Sequence, residues 1–359
     1  MHPFSVHDFD MGLLCLLNPT ILELNVLLLG VGHREQVNFR TVLSACLPSG
    51  HDLEVLSVVV PVPVLNIELL PKLYPRLRRV KIIEDGILPP HIALLATLPN
   101  LEYLSIDLSP STPLNTPVAF PEVRNLGLFN DGAASIGSFI AHVEAPKLRS
   151  LFISETHPDT DETYPQKLLD LFRTMASKYP CLTVFRWGNT DITSAGLESK
   201  SRAGMTLAEL FEPLLSLRSV RSFSVSFIGP LIPYSPSDFQ KIAEAWPDLE
   251  TFDLSRLAGR GADQYADLES LTVFARLCPR LRELRIPRLK FDLSDAACPI
   301  AGPRTPHWLQ ELKVTSLILP TEVFAEVTRQ RAILLGVLQQ IFPSAKINFP
   351  VIRAPLRSR

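Results

Sequence analysis

Apolar residues return along this chain in one short pattern. Pro99-Asn100-Leu101-Glu102-Tyr103-Leu104-Ser105-Ile106 reads P-x-L-x-x-L-x-L, and about eleven versions of it succeed one another. The series begins with Pro19 (Ile21, Leu24, Val26), a copy with His51 in the proline place (Leu53, Leu56, Val58) and Pro75 (Leu77, Val80, Ile82). Pro99, Pro121 (Val123, Leu126, Leu128), Pro146 (Leu148, Leu151, Ile153) and Pro180 (Leu182, Phe185, Trp187) follow. Arg218 replaces proline before Val220, Phe223 and Val225. Pro247 (Leu249, Phe252, Leu254), Pro279 (Leu281, Leu284, Ile286) and a copy opening at His307 (Leu309, Leu312, Val314) complete it. The last two apolar positions of each copy lie two apart, which puts them on one face of a β-strand. Proline lacks a backbone N–H and disfavours helix in the residue before it, so it stops whatever helix precedes the strand.

Between the copies the period changes to that of a helix. Phe239, Ile242, Ala243 and Trp246 stand at i, i+3, i+4 and i+7, with Ser235 placed as N-cap and Pro236 in the first turn. Leu168, Phe172, Met175 and Tyr179 share a second helix face, Leu268, Leu271 and Ala275 a third, and Ile92, Leu95 and Ala96 a fourth. Each unit is therefore a strand followed by a helix or an irregular turn. No such unit buries its own apolar face, so neighbours must stack into a continuous core.

This predicts an α/β solenoid shaped as a horseshoe, its parallel sheet concave and its helices convex. The expected organisation is an amino-terminal cap or truncated lead-in over 1–17, about eleven irregular repeats over 18–349 with a terminal helix over 321–342, and a disordered basic tail over 350–359. Longer gaps around Ser154–Tyr179 and Gly188–Leu217 predict long convex helices or protruding loops, including an acidic one at Asp159–Glu162 and another at Ser194–Gly204.

Composition narrows the function classes. The 32 prolines are spread along the chain, which suits punctuation of repeats and not a low-complexity linker. A net charge of -2 supplies no electrostatic reason for nucleic acid or an anionic membrane as partner. The leucine-rich stretch Met11–Gly32 lacks a basic flank and is interrupted by Asn18, Pro19, Glu23 and Asn25, so it reads as core and not as a signal or a span. Five cysteines, odd in number and without a C-x-x-C, fit reduced and mostly buried thiols of an intracellular protein of cytoplasm or nucleus.

Motifs for chemistry are not found. The sequence contains no phosphate-binding glycine loop, no G-x-S-x-G, and no histidine or cysteine spacing of a zinc site. No cofactor, no metal and no catalytic residue is therefore expected. The strand register is more informative, since residues flanking the core positions point to the opposite face. That face carries Arg79, Lys81, Tyr103, Ser105, Asp107, Asn125, Phe129, Ser150, Phe152 and Ser154 in the first half. In the second half it carries Arg186, Ser222, Ser224, Ser226, Thr251, Asp253, Ser255, Glu283, Arg285, Glu311 and Lys313. Aromatics mixed with ordered charges suit recognition of a protein or peptide.

The P-x-L-x-x-L-x-L units, with Pro-Arg-Leu, Pro-Asn-Leu or Pro-Asp-Leu at the front, resemble leucine-rich repeats. Their uneven lengths and intervening helices resemble the repeat regions of fungal F-box-like proteins, over about Asn18–Phe349. The resemblance implies a non-enzymatic substrate-recognition module, with a target on the concave face and ubiquitin-ligase subunits as further partners. An F-box of that family opens with a Leu-Pro-x-Glu motif ahead of the repeats, and fewer than twenty residues precede the first copy here. Leu319-Pro320-Thr321-Glu322-Val323 looks like such an opening, but Pro320–Phe342 reads as the helix of a capping repeat ending at Phe342-Pro343, with Ile347–Phe349 as a last strand. The alternatives are an interaction protein unrelated to ubiquitin and, more distantly, an enzyme.

Overall fold

The computed structural model describes residues 22–27, 52–59, 67–109, 113–130, 133–155, 163–189, 205–226, 232–254, 264–292, 307–320 and 324–349. In each of the eleven pattern copies the second apolar position, from Leu24 to Leu312, lies in a β-strand. Contacts divide the chain into two compact units, Met1–His157 and Pro158–Arg359. Both are α/β, and both are built on parallel strands laid down in sequence order.

In the first unit β1 (Glu23–Leu27), β2 (Val55–Val59), β3 (Arg79–Ile87) and β4 (Tyr103–Leu108) are neighbours in that order. A two-residue strand, β5 (Val118–Ala119), intervenes in sequence before β6 (Asn125–Asn130). Another, β7 (Val143–Glu144), precedes β8 (Ser150–Glu155). β6 and β8 extend the main sheet, while β5 and β7 pair with each other in a sheet of their own. Pairing is in register from repeat to repeat. Leu56, Val80, Leu104, Leu126 and Leu151 form one row, and Val58, Ile82, Ile106, Leu128 and Ile153 the next. All ten are buried, and each such side chain contributes roughly 1.5–3 kcal/mol of transfer free energy.

A backbone device joins the repeats at strand entry. The Glu54 carbonyl accepts from Arg78 N and Arg79 N, the Arg78 carbonyl from Glu102 N and Tyr103 N, the Glu102 carbonyl from Arg124 N and Asn125 N, and the Arg124 carbonyl from Arg149 N and Ser150 N. One acceptor thus takes two donors from the following repeat. These donors sit three and four residues after the pattern's opening proline, where a missing N–H would break the link.

Helices α1 (Leu70–Leu73), α2 (Pro89–Leu95) and α3 (Ala133–His142) connect these strands. Ile92 and Leu95 of α2 are buried, whereas Ala96 is the C-cap and only half-buried, because the helix ends one residue before the last position of its apolar spacing.

The second unit repeats the plan with β9 (Val184–Asn189), β10 (Ser222–Val225), β11 (Thr251–Asp253), β12 (Glu283–Lys290), β13 (Glu311–Ile318) and β14 (Lys346–Asn348). Its helices are α4 (Tyr164–Lys178), α5 (Leu207–Leu215), α6 (Pro236–Ala245), α7 (Leu268–Leu277) and α8 (Phe324–Ile341). Leu168, Phe172, Met175 and Tyr179 are buried, as are Leu268, Leu271 and Ala275. Ser235 is the N-cap of α6 with Pro236 in the first turn. Its backbone N and its hydroxyl both donate to Asp238 Oδ2, at 2.7 and 2.8 Å. Asp238 Oδ1 also accepts from Ala208 N at 3.0 Å, so one buried carboxylate ties the start of α6 to the start of α5.

Aromatic rings fill this core. Phe223 of β10 lies 5.6 Å from Phe185, 4.9 Å from Phe211, 4.7 Å from Trp246 and 6.0 Å from Phe252, centroid to centroid. Phe172 extends the cluster to Trp187, and Phe239 and Phe274 close it on the other side. Tyr179, Tyr234 and Cys278 are all pushed up by burial, the Cys278 thiol to about 12. Of the two cysteines described, Cys278 is buried and Cys181 exposed.

His307, in the proline place of its copy, is clamped instead of kinked. Its Nδ1 accepts from Leu309 N at 3.1 Å, which leaves Nε2–H to donate to the Cys278 carbonyl at 2.9 Å. The ring meets Phe342 edge to face. Burial holds this imidazole below its ordinary range, opposed in part by the hydrogen bond to Cys278. α8 is one continuous helix with Leu334, Leu338 and Ile341 buried, and β14 follows it to pair with β13. Residues 1–17, the expected loops at Asp159–Glu162 and Ser194–Gly204, Thr321–Val323 and the expected tail over 350–359 lie outside the described residues.

Candidate functional site

Strand alternation leaves one face of each sheet without a helix-derived core row, and the side chains on it differ from repeat to repeat. Parallel in-register pairing sorts them into rows running across the strands. In the first unit one row is Arg79, Tyr103, Asn125 and Ser150; the next is Lys81, Ser105, Gly127 and Phe152; a third holds Asp107, Phe129 and Ser154.

Arg79 is exposed and its guanidinium stands 5.3 Å from the centroid of the half-buried Tyr103 ring, a cation–π distance. Phe129 and Phe152 meet edge to face at 5.5 Å, and Phe152 remains 36% exposed. Lys81 and Asp107 are half-buried.

Ser105 is a correction. Alternation assigns it to the open face, yet it is 1% exposed. The reason lies in the next strand. At Gly127 a Cβ would come 2.7 Å from Ser105 Oγ, so the serine occupies the space that a side chain there would take. A small residue between Tyr103 and Asp107 on its own strand is also overtopped by its neighbours. Together Ser105 and Gly127 make a floor and not a contact surface. Ser154, Ser222 and Ser226 are likewise buried instead of exposed, and their hydroxyls have no hydrogen-bond partner among the described residues.

In the second unit the rows are Ser222, Thr251, Glu283, Glu311 and Lys346, then Arg186, Ser224, Asp253, Arg285, Lys313 and Asn348. Arg186 is exposed, and Ser224, Thr251, Asp253, Glu283 and Arg285 are half-buried. Ser255 lies outside the described residues. Arg285 gathers three carboxylates. Nη1 lies 3.3 Å from Asp253 Oδ2, while Nη2 lies 2.8 Å from Glu311 Oε2 and 3.2 Å from Glu283 Oε2. Asn348 Nδ2 donates to the remaining Glu311 oxygen at 3.2 Å. The hydrogen bond with Glu311 raises Arg285 further above its usual range, and the same bond holds Glu311 below the usual carboxylate range.

The sheets thus place Arg79, Lys81, Tyr103, Phe129 and Phe152 on one face of the first unit. Asp253, Glu283, Arg285 and Glu311 form a closed ionic cluster in the second. Gly127 and Asn348 escaped sequence reasoning. The first was legible only as a missing side chain within a row, the second only once β14 had been aligned with β13.

Around these faces, no group of three or more potential metal ligands occurs among the described residues. No helix of the described residues is long and apolar enough to cross a membrane. No family model matches the chain, and no curated protein matches it.

Proposed function

We propose that this chain is a leucine-rich-repeat protein, a horseshoe whose concave sheet binds a protein partner, and that it serves as an intracellular, non-catalytic recognition scaffold like the repeat region of F-box-like ubiquitin-ligase receptors. The observation that carries the reading is the division of labour within each repeat. The core rows are apolar and buried from Leu56 to Ile153 and from Phe185 to Val314, whereas the facing rows vary, with Arg79, Phe152 and Arg186 exposed and Tyr103 half-buried. Stacked repeats that keep the core constant while varying one face build an extended recognition surface. Exposed aromatic and arginine side chains are the residue types that dominate binding energy at such surfaces.

The test is affinity purification of the tagged full chain from its native cell, beside the Tyr103→Ala/Phe152→Ala variant. A protein retained by the wild type and lost from the variant supports the scaffold reading, and ligase subunits among the retained proteins support the ubiquitin branch. Reproducible absence of ligase subunits removes that branch and leaves a repeat protein of another pathway. A partner held equally by wild type and variant moves the site off this face.

A further inference from the structure

The two sheet faces differ in what their charges are already doing. In the second unit Arg285 is surrounded by Asp253, Glu283 and Glu311, which engage both of its terminal nitrogens. In the first unit, among the described residues, neither Arg79 nor Lys81 has an ion-pair partner. Asp107, the one carboxylate on the described rows between β3 and β8, already has an interaction of its own. Among the described residues these two cations at β3 thus lack a counter-charge, and the edge-to-face pair of half-buried Phe129 and exposed Phe152 stands at β6 and β8. Between them the row dips, because Gly127 has no side chain and Ser105 lies low against it.

We propose that this face takes an extended acidic segment of the protein partner, its carboxylate at Arg79 and Lys81, its backbone crossing the dip at Gly127 and an apolar side chain packed on Phe152. The inference rests on the scaffold reading above and names the partner's chemistry. Charge complementarity selects the acid, since a guanidinium and an ammonium without an ion pair among the described residues gain a charge-assisted contact from a carboxylate and nothing from a lysine. Geometry sets the spacing. Lys81 and Phe152 share a row three strands apart, about 14 Å at roughly 4.8 Å per strand. An extended peptide advances about 3.4 Å per residue, so side chains about four residues apart, on the same side of the peptide, span that distance.

Fluorescence polarisation with the full chain reads this directly. The probes are fluorescein-labelled serine-glycine decapeptides bearing one glutamate and one phenylalanine, separated by zero, one, two, three or four residues, in both orders. Three intervening residues should bind best. Replacing glutamate by lysine, or the protein's Arg79 and Lys81 by alanine, should each weaken binding about tenfold or more. Phe152→Ala should weaken it similarly for the phenylalanine probe while leaving the melting temperature unchanged. Binding that ignores the glutamate, ignores the spacing, survives Arg79→Ala/Lys81→Ala, or is absent from every probe overturns the proposal. A cell-derived partner kept by Arg79→Ala/Lys81→Ala would overturn it as well, while leaving the scaffold reading in place.

Discussion

Replacing Phe223 with alanine tests the aromatic stack of the second unit. Phe223 has no exposed surface and touches four rings contributed by β9, α5, the residue after α6 and β11. The substitution removes a buried benzyl group whose neighbours are held by separate backbone elements, so the space cannot readily collapse. A Phe→Ala change at such a site costs about 3–5 kcal/mol. Lost ring–ring contacts place the value toward the upper end, although the pairwise terms do not add. For a unit of roughly two hundred residues each kcal/mol lowers the melting temperature by about 2–4 °C, so a drop of roughly 6–20 °C is expected. Differential scanning calorimetry and urea titration followed by tryptophan fluorescence give the two readouts, Trp187 and Trp246 lying in the same cluster. Phe223→Leu, which keeps most of the volume, should recover more than half of the loss. A Phe223→Ala loss below about 1 kcal/mol would refute the claim that neighbouring repeats share one tightly packed core.

In the first unit Leu104→Ala should cost about 2–5 kcal/mol in urea unfolding while Tyr103→Ala, one residue away but on the open face, stays within about 1 kcal/mol; equal losses would mean the face assignment is wrong. Asp238→Ala leaves the N–H groups of Ala208 and Ser235 without their acceptor, with an expected loss of about 2–4 kcal/mol against about 0.5–2 for Ser235→Ala; the reverse order would contradict the helix-bridging role. Burial lowers the His307 value in the folded state, so at acid pH the unfolded chain binds the extra proton first and stability falls as pH drops below about 6.5. His307→Phe should flatten that part of the pH–stability curve, and an unchanged slope would assign it to other groups. Arg285→Met should destabilise by roughly 1 kcal/mol near neutrality and less at low pH, because Asp253, Glu283 and Glu311 then repel until they are protonated; a penalty that grows on acidification would contradict the cluster.

The repeat spacing made the strands legible because the physical constraint is periodic. A buried row running through successive strands demands an apolar residue at the same place in each copy, from Leu56 to Leu151 and again from Phe185 to Leu312. Pro75, Pro99, Pro180, Pro247 and Pro279 then mark where the preceding helix stops. The short pair β5 and β7 left no such trace, since two residues carry no period. Exposure on the open face was only half legible. Alternation tells which way Ser105 points, but whether it reaches solvent depends on Gly127 in a different repeat. The Arg285 cluster was visible as a row of charges, yet its closure needed distances. The Asp238 bridge could not be anticipated, because it links residues thirty apart through a side chain that also serves its own helix.

The strand-entry carbonyls have a further consequence. Each one receives two donors from the repeat that follows, from Glu54 through Arg124 and again from Thr183 through Arg282, and the repeats of Glu54 through Arg124 and of Arg221 through Arg282 donate twice to the one before. Within each unit the stack is therefore polar in the sense of a one-way relay. Its opening end asks a neighbour for acceptors, and its closing end asks for donors. A capping segment grafted from one end to the other would meet the wrong half of that exchange, even if its apolar face matched perfectly. Lengthening such a chain by duplicating a repeat respects the relay, whereas reversing one would break it twice.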